Sequence, residues 1–216
     1  MADGMTITTP VFESHMKYLH DNGYTVIPLR QLVDHYRGKA PAPKPKSVVI
    51  VEDDAHKSVY SDMLPVIRKY GYPVTVFTYP SAISNAKYAM TWEQLRELKR
   101  TGLFDIQSHT YWHPNFKRER KKMSGPALEQ LVMTQLRKSK ARLETELGVN
   151  VDMQCALKSL DRLDGWMDDR YRKIQKMEHP EEYGPSSIDA FYLYGRSFFK
   201  EKPVAAGKWR WPDMPS

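Results

Sequence analysis

The run Ser47-Val-Val-Ile-Val51 does most to limit how this chain can fold. Its β-branched side chains are stiff and favour extended backbone. It shows no polar alternation, which marks a strand covered on both faces, as in a parallel sheet sandwiched by helices. Before it, Lys39-Ala-Pro-Ala-Pro-Lys-Pro-Lys46 reads as a stiff, extended connector, and after it stand three acids, Glu52-Asp53-Asp54. From Val11 to about Asn150 the chain alternates helix and strand. Phe12, His15, Met16 and Leu19 recur at helical spacing up to Asn22-Gly23, and Tyr24–Leu29 is a short strand. A short helix over Leu29–Tyr36 closes at Gly38. Val59, Met63, Ile67 and Tyr70 predict one helical face that stops at Gly71. Pro73–Tyr79 and Phe104–Ser108 are further strands, separated by a helix that Thr91 caps with Gln94 at the capping-box position. A long helix runs from about Ser124 to Leu147, with Leu128, Leu131, Met133, Leu136 and Leu143 as its interior pattern, and Gly148 stops it. Repeated strand–helix units of this kind predict a parallel sheet, open or closed into a barrel, with chemistry at the C-terminal ends of the strands.

Beyond residue 150 that rhythm is lost. Asp161–Arg172 is densely charged, and Pro180, Pro185, Pro203, Pro212 and Pro215 are scattered among aromatics. The chain of 216 residues therefore divides into a folded domain over 1–153 and a different segment over 154–216. At 41% apolar residues it is globular in composition. Its charge of +7 is spread over amphipathic segments and two short clusters, Lys117–Lys122 and Arg137–Arg142, which read as solvated helix faces. No nucleic-acid module accompanies them, so no nucleic-acid partner is expected. Cys155 stands alone, which excludes an intrachain disulfide and a cysteine zinc cluster. No apolar run approaches the ~20 residues that span a bilayer. The first ten residues lack the basic-then-apolar order of a signal peptide, so none is expected in the chain as written.

Two constellations carry chemistry. Asp53 and Asp54 end the buried strand, where the chain leaves the pleat and both carboxylates can address one mouth. Two adjacent carboxylates stay charged in a closed site only when a cation neutralises one, so a metal ligand beside a general base is a natural division of labour. Two solvated loop acids is the alternative. The second constellation is His109-Thr-Tyr-Trp-His113, which directly follows a predicted strand. Three intervening residues suit two imidazoles on one metal, and two histidines with one carboxylate leave positions open for water and substrate. One hydrogen-bonding and one surface histidine is the alternative here. Both constellations fall at strand ends of one predicted sheet, which favours the metal reading. His15, His20 and His35 lie on or near helices as surface or packing residues, whereas His56 stands close enough to the acids to orient one of them. Tyr111 and Trp112 offer flat faces for a pyranose ring, or else pack in the core. Neither a phosphate-cradling glycine loop nor a Gly-x-Ser-x-Gly elbow occurs.

In these motifs the chain resembles the polysaccharide deacetylases with a NodB homology domain, carbohydrate esterase family 4. Val51-Glu-Asp-Asp-Ala55 matches that family's Thr-Phe-Asp-Asp-Gly, and His109-Thr-Tyr-Trp-His113 matches its His-(Ser/Thr)-x-x-His. Leu19–Leu29, Lys57–Tyr60 and Tyr72–Phe77 resemble the surrounding segments, so the likeness covers about residues 11–153. The resemblance implies an α/β fold, a partial, distorted (β/α) barrel with an irregular C-terminal tail. It implies a hydrolase of non-peptide carbon–nitrogen bonds that removes N-acetyl groups from an N-acetylglucosamine-containing polysaccharide and releases acetate. Asp53 would be the general base, and Asp54, His109 and His113 would hold a divalent metal, usually Zn²⁺. Members of the family usually work in the periplasm, at the cell surface or outside the cell.

The match has gaps. Val51, Glu52 and Ala55 depart from the first motif, and Glu52 adds a third carboxylate that can compete for metal. The family's aromatic-Pro-aromatic-Gly segment is replaced by Gln154-Cys-Ala-Leu-Lys-Ser-Leu160, and its later Leu-x-His motif is missing. His179, the one histidine after His113, stands in surroundings that do not match. From about residue 154 the chain is thus expected to be unrelated to the family, as a truncation or a shift of reading frame would make it. The barrel is expected to be incomplete at both ends. Two functions follow: an active deacetylase, or a relative impaired in turnover that retains metal or glycan binding.

Overall fold

The computed structural model describes residues 7–153 apart from Arg37; residues 154–216, with Cys155 and His179, lie outside the described residues. The elements run α1 (Thr9–Asp21), β1 (Thr25–Val26), α2 (Leu29–Tyr36), β2 (Ser47–Val48), β3 (Ile50–Asp53), a π-helical turn (Val59–Met63) leading into α3 (Leu64–Tyr70), β4 (Val74–Thr78), α4 (Trp92–Arg100), β5 (Phe104–Ser108), α5 (Phe116–Arg120) and α6 (Gly125–Leu147). Every strand pairing is parallel. β3, β4 and β5 form one sheet in that order, with Asp53 opposite Phe77 and Thr78 opposite Ser108. This in-register arrangement brings the ends of the strands to one edge. β4, in the middle, is buried at all five positions, Thr75 and Thr78 included, as a strand covered on both faces must be. The parallel strands and their helical crossovers are the partial α/β barrel architecture expected from the sequence.

The β-branched run differs from a single strand. Ser47 and Val48 pair with Thr25 and Val26, whereas pairing with β4 begins at Ile50. Val49, at the changeover, is buried with Ile27 and Leu32 in a small cluster of its own. One extended segment thus serves two neighbours in turn. The predicted strand over 24–29 shrinks to Thr25–Val26, the two residues in register with β2, and the amide of Ile27 adds a last bond to the carbonyl of Val48.

Two helices also depart from the predicted pattern. The helix over 59–70 begins as a π-helical turn, in which the amide of Leu64 donates to the carbonyl of Val59. Pro65, which supplies no N–H and crowds the carbonyl four residues back, sits at the junction. In α6 the buried positions are Val132, Gln135, Ser139, Leu143 and Leu147, while Met133 faces solvent at 40% exposure. The polar pair in that stripe lies over a hydrogen-bonding loop rather than over apolar side chains, which a hydrophobic pattern cannot reveal. α5 is an addition: the Asn115 side chain accepts from the amide of Arg118 at 2.9 Å, and Phe116 is buried.

α4 has the predicted capping box. Thr91 Oγ1 accepts from the amide of Gln94 at 3.2 Å, and Gln94 Oε1 accepts from the amide of Thr91 at 2.8 Å. Lys99 of α4 donates to the carbonyl oxygens of Leu147 and Gly148, which ties the two helices at the C-terminal end of α6. The chain then returns beside β5. Gln107, fully buried, accepts from the amides of Asp152 and Met153, and its amide group donates to the carbonyl of Asn150 and to Asp105. Arg30 grips Asp152 through two hydrogen bonds of 2.6 and 2.8 Å, which joins α2 to the same segment.

Candidate active site

The candidate residues gather at the C-terminal edge of the three-stranded sheet. At the end of β3 the amide of Asp54 still donates to the carbonyl of Phe77, at 2.9 Å, and the backbone then turns left-handed. Asp54 has φ 75° and Ala55 φ 53°. Two successive left-handed residues break the strand's alternation. They present Asp54 Oδ1 inward, closed off from solvent and accepting no hydrogen bond from the described residues.

On the far side of β4, the amide of His109 donates to the carbonyl of Thr78 at 2.9 Å and extends the ladder one residue past β5. Thr110 follows at φ 67°, its amide donating to Ser108 Oγ at 3.3 Å. His113 closes the turn at φ 56°, its amide donating to Thr110 Oγ1 at 3.1 Å. Among the described residues, four of the six non-glycine residues with positive φ lie in this site: Asp54, Ala55, Thr110 and His113. Each such conformation costs roughly 1–2 kcal/mol, and strain concentrated this way is a mark of functional sites.

These turns bring three predicted residues together. His109 Nε2 lies 3.5 Å and His113 Nε2 3.8 Å from Asp54 Oδ1, and the two imidazole centroids are 4.6 Å apart. One ligand atom from each of the three lies within 4.8 Å of the others. A tetrahedral ion with bonds of ~2.0–2.1 Å holds its ligands about 3.3–3.4 Å apart, so the set can accept a divalent ion with small adjustment. The inward carboxylate oxygen between two imidazole nitrogens is what such an ion would engage. Asp53, the last residue of β3, is adjacent in sequence but outside the three-residue cluster; its Oδ1 is likewise shielded from solvent.

Glu52 does not join the cluster. Its carboxyl accepts hydrogen bonds from the amides of His56 and Ala55, and Oε2 is buried without a hydrogen-bond partner among the described residues. Burial raises its pKa well above the ordinary carboxylate range, and the neighbouring charges of Asp53 and Asp54 push it further. The competition for metal anticipated from a third carboxylate is therefore not built into the site. The imidazole of His56 faces Ser58, with Nδ1 and Oγ 2.8 Å apart, and stacks on Tyr88; its backbone, not its ring, holds an acid.

The sequence reading missed three side chains. The ring of Tyr79 lies 5.3 Å from that of His113, and the hydroxyls of Tyr79 and Tyr88 are hydrogen-bonded. Burial, and then the charge of Asp54, raises the pKa of the Tyr88 hydroxyl. Tyr79 follows β4 directly, at the same edge as Asp53 and His109, so strand position alone could have flagged it; nothing local flags Tyr88. The third is Gln135, whose Oε1 accepts from the amides of Tyr111 and Trp112 at 3.1 and 3.0 Å. Tyr111 is partly buried beneath Lys138, while Trp112 is 47% exposed and meets the ring of Tyr111 edge-on at 6.4 Å.

Comparison with known proteins decides the family. The polysaccharide deacetylase family model matches residues 40–154, just over half of the chain. The chain belongs to the polysaccharide deacetylase family. The Bacillus subtilis relative YxkH, described as a polysaccharide deacetylase, is 40% identical over 103 residues, which are 47% of this chain and 36% of the relative. A poly-β-1,6-N-acetyl-D-glucosamine N-deacetylase of Staphylococcus aureus is 26% identical over 142 residues, 64% of this chain and 48% of that enzyme. The chain thus spans less than half the length of these two relatives. Among solved structures, IcaB from Ammonifex degensii superposes with a TM-score of 0.59 at 24% identity, over 69% of this chain and 66% of that one. At that identity the likeness shows a shared deacetylase-type fold.

Proposed function

We propose that this chain removes N-acetyl groups from an N-acetylglucosamine-containing polysaccharide, using a divalent ion held by Asp54, His109 and His113. The observation that carries the reading is the convergence of those three ligand atoms at the strand ends, directly after Asp53. Two imidazoles and a carboxylate are borderline donors suited to zinc, and they leave positions open for water and substrate. When bound, the ion supplies Lewis acidity to the acyl carbonyl and makes water a stronger acid. Asp53 takes the proton of the attacking water. A new carbon–oxygen bond forms, and the carbon–nitrogen bond breaks as Asp53 passes that proton to the departing nitrogen, giving acetic acid, which ionises to acetate, and a free amino sugar. Trp112 and Tyr111, beside His113 in the same turn, offer an aromatic face to a sugar ring at the rim. A β-1,6-linked N-acetylglucosamine polymer is the favoured substrate because the Staphylococcus aureus relative is named for it.

One observation favours a second reading, in which the chain binds metal or glycan without turnover: the family match ends at residue 154, where Gln154–Leu160 replaces the family's next motif. Acetate release from a β-1,6-N-acetylglucosamine oligomer separates the two. We expect release with added Zn²⁺, its loss with chelator, and a decrease of at least ~100-fold in Asp53→Asn, the scale of a lost general base. Metal binding without acetate release would leave the binding-only reading. Undiminished release by Asp53→Asn would overturn the base assignment.

A further inference from the structure

We infer that Gln135 is a positioning residue that sets the geometry of the metal-ligand turn from the opposite helix. This rests on the reading of Asp54, His109 and His113 as metal ligands. Gln135 lies in the middle of α6 and is wholly buried, at 0% exposure. A long apolar side chain would fill that space without the desolvation cost of an amide. Instead, Oε1 accepts hydrogen bonds from two successive backbone amides, those of Tyr111 and Trp112. These residues lie in the short interval between His109 and His113. The left-handed residues Thr110 and His113 flank the two amides, and such turns aim successive N–H groups into one concavity that needs an acceptor. The contact fixes the orientation of the amide group, because the reverse orientation would set its NH₂ against two N–H donors.

The other half of the same side chain sharpens the inference. Gln135 Nε2 is buried and has no hydrogen-bond partner among the described residues. A buried donor left unpaired lowers stability and offsets part of what the two accepted hydrogen bonds contribute. What it supplies is the acceptor. One helical turn further along, buried Ser139 meets Ser108 with a 2.8 Å distance between hydroxyl oxygens, and Ser108 Oγ in turn accepts from the amide of Thr110. α6 therefore holds the segment at two points, just before His109 and between the two histidines.

The consequence is a dependence of metal binding on a side chain that does not touch the metal. In Gln135→Met, which keeps length and apolar bulk but lacks the acceptor, we expect the dissociation constant for Zn²⁺, measured by titration calorimetry on the full chain, to rise at least ~10-fold. The visible spectrum of the Co²⁺-loaded variant should also shift, because the ligand turn relaxes. Gln135→Glu keeps an acceptor oxygen and should recover both the affinity and the spectrum of the unaltered chain. The melting temperature of Gln135→Met in chelator should fall, because two backbone amides lose their acceptor while only one unpaired donor is removed. The Co²⁺ spectrum of the folded variant is the readout that a merely structural loss would leave unchanged. If Gln135→Met loses its cooperative unfolding transition, Gln135→Asn, which withdraws the acceptor by one methylene, carries the same expectation. An unchanged Zn²⁺ affinity and Co²⁺ spectrum in the folded variant would overturn the inference while leaving the metal reading intact. Failure of the unaltered chain to bind Zn²⁺ would overturn both.

Discussion

Ala55 stands where the family motif has glycine, in a left-handed conformation and fully buried. Roughly 1–2 kcal/mol of backbone strain is set against ~0.8 kcal/mol from one buried methyl group and the 0.5–1 kcal/mol or so of entropy that a glycine would lose. The terms nearly cancel, which explains how this departure is accommodated. Glu52 has no such balance. Its folded carboxyl binds a proton more tightly than an unfolded one, through burial first and the charges of Asp53 and Asp54 second. Above the ordinary carboxylate range near ~4.3 the folded state therefore holds more protons than the unfolded state, and stability falls as pH rises towards the raised pKa. In chelator, Glu52→Gln should flatten that decline and be the more stable protein at neutral pH. Denaturant unfolding across pH checks this, and parallel slopes for the two proteins would contradict it. At this scale the four central residues were legible because each pair is contiguous or nearly so in the chain. Tyr88 and Gln135 were not, because their roles exist only once distant elements pack.

Elements show the same division. The capping box of α4 is readable because Thr91 and Gln94 are three residues apart and bond each other. Thr91→Ala should lower unfolding free energy by about 1 kcal/mol, measured by chemical denaturation, and an effect near zero would mean that the cap contributes nothing in this context. The split of the Ser47–Val51 run depends on which neighbour each half meets, Thr25–Val26 or Val74–Phe77, and no local pattern encodes that choice. The inward face of α6 was misread for a related reason: Gln135 and Ser139 are buried by the turn they bond, against the hydrophobic pattern.

Across the molecule, the proposed ligands come from beyond the ends of β3 and β5, which are separated by the buried β4. An ion held there would tie the two outer strands of the sheet together. It would also stabilise the folded chain by ~2.7 kcal/mol at a free concentration 100 times its dissociation constant. The strand–helix order made this arrangement foreseeable, since parallel strands in register bring their C-terminal ends to a common edge. The most direct measurement is the Zn²⁺ content of the full chain after equilibrium dialysis, alongside Asp54→Ala and His113→Ala. One ion per chain in the unaltered protein, lost from both variants, is the predicted result. No bound ion, or an ion retained in both variants, would contradict it.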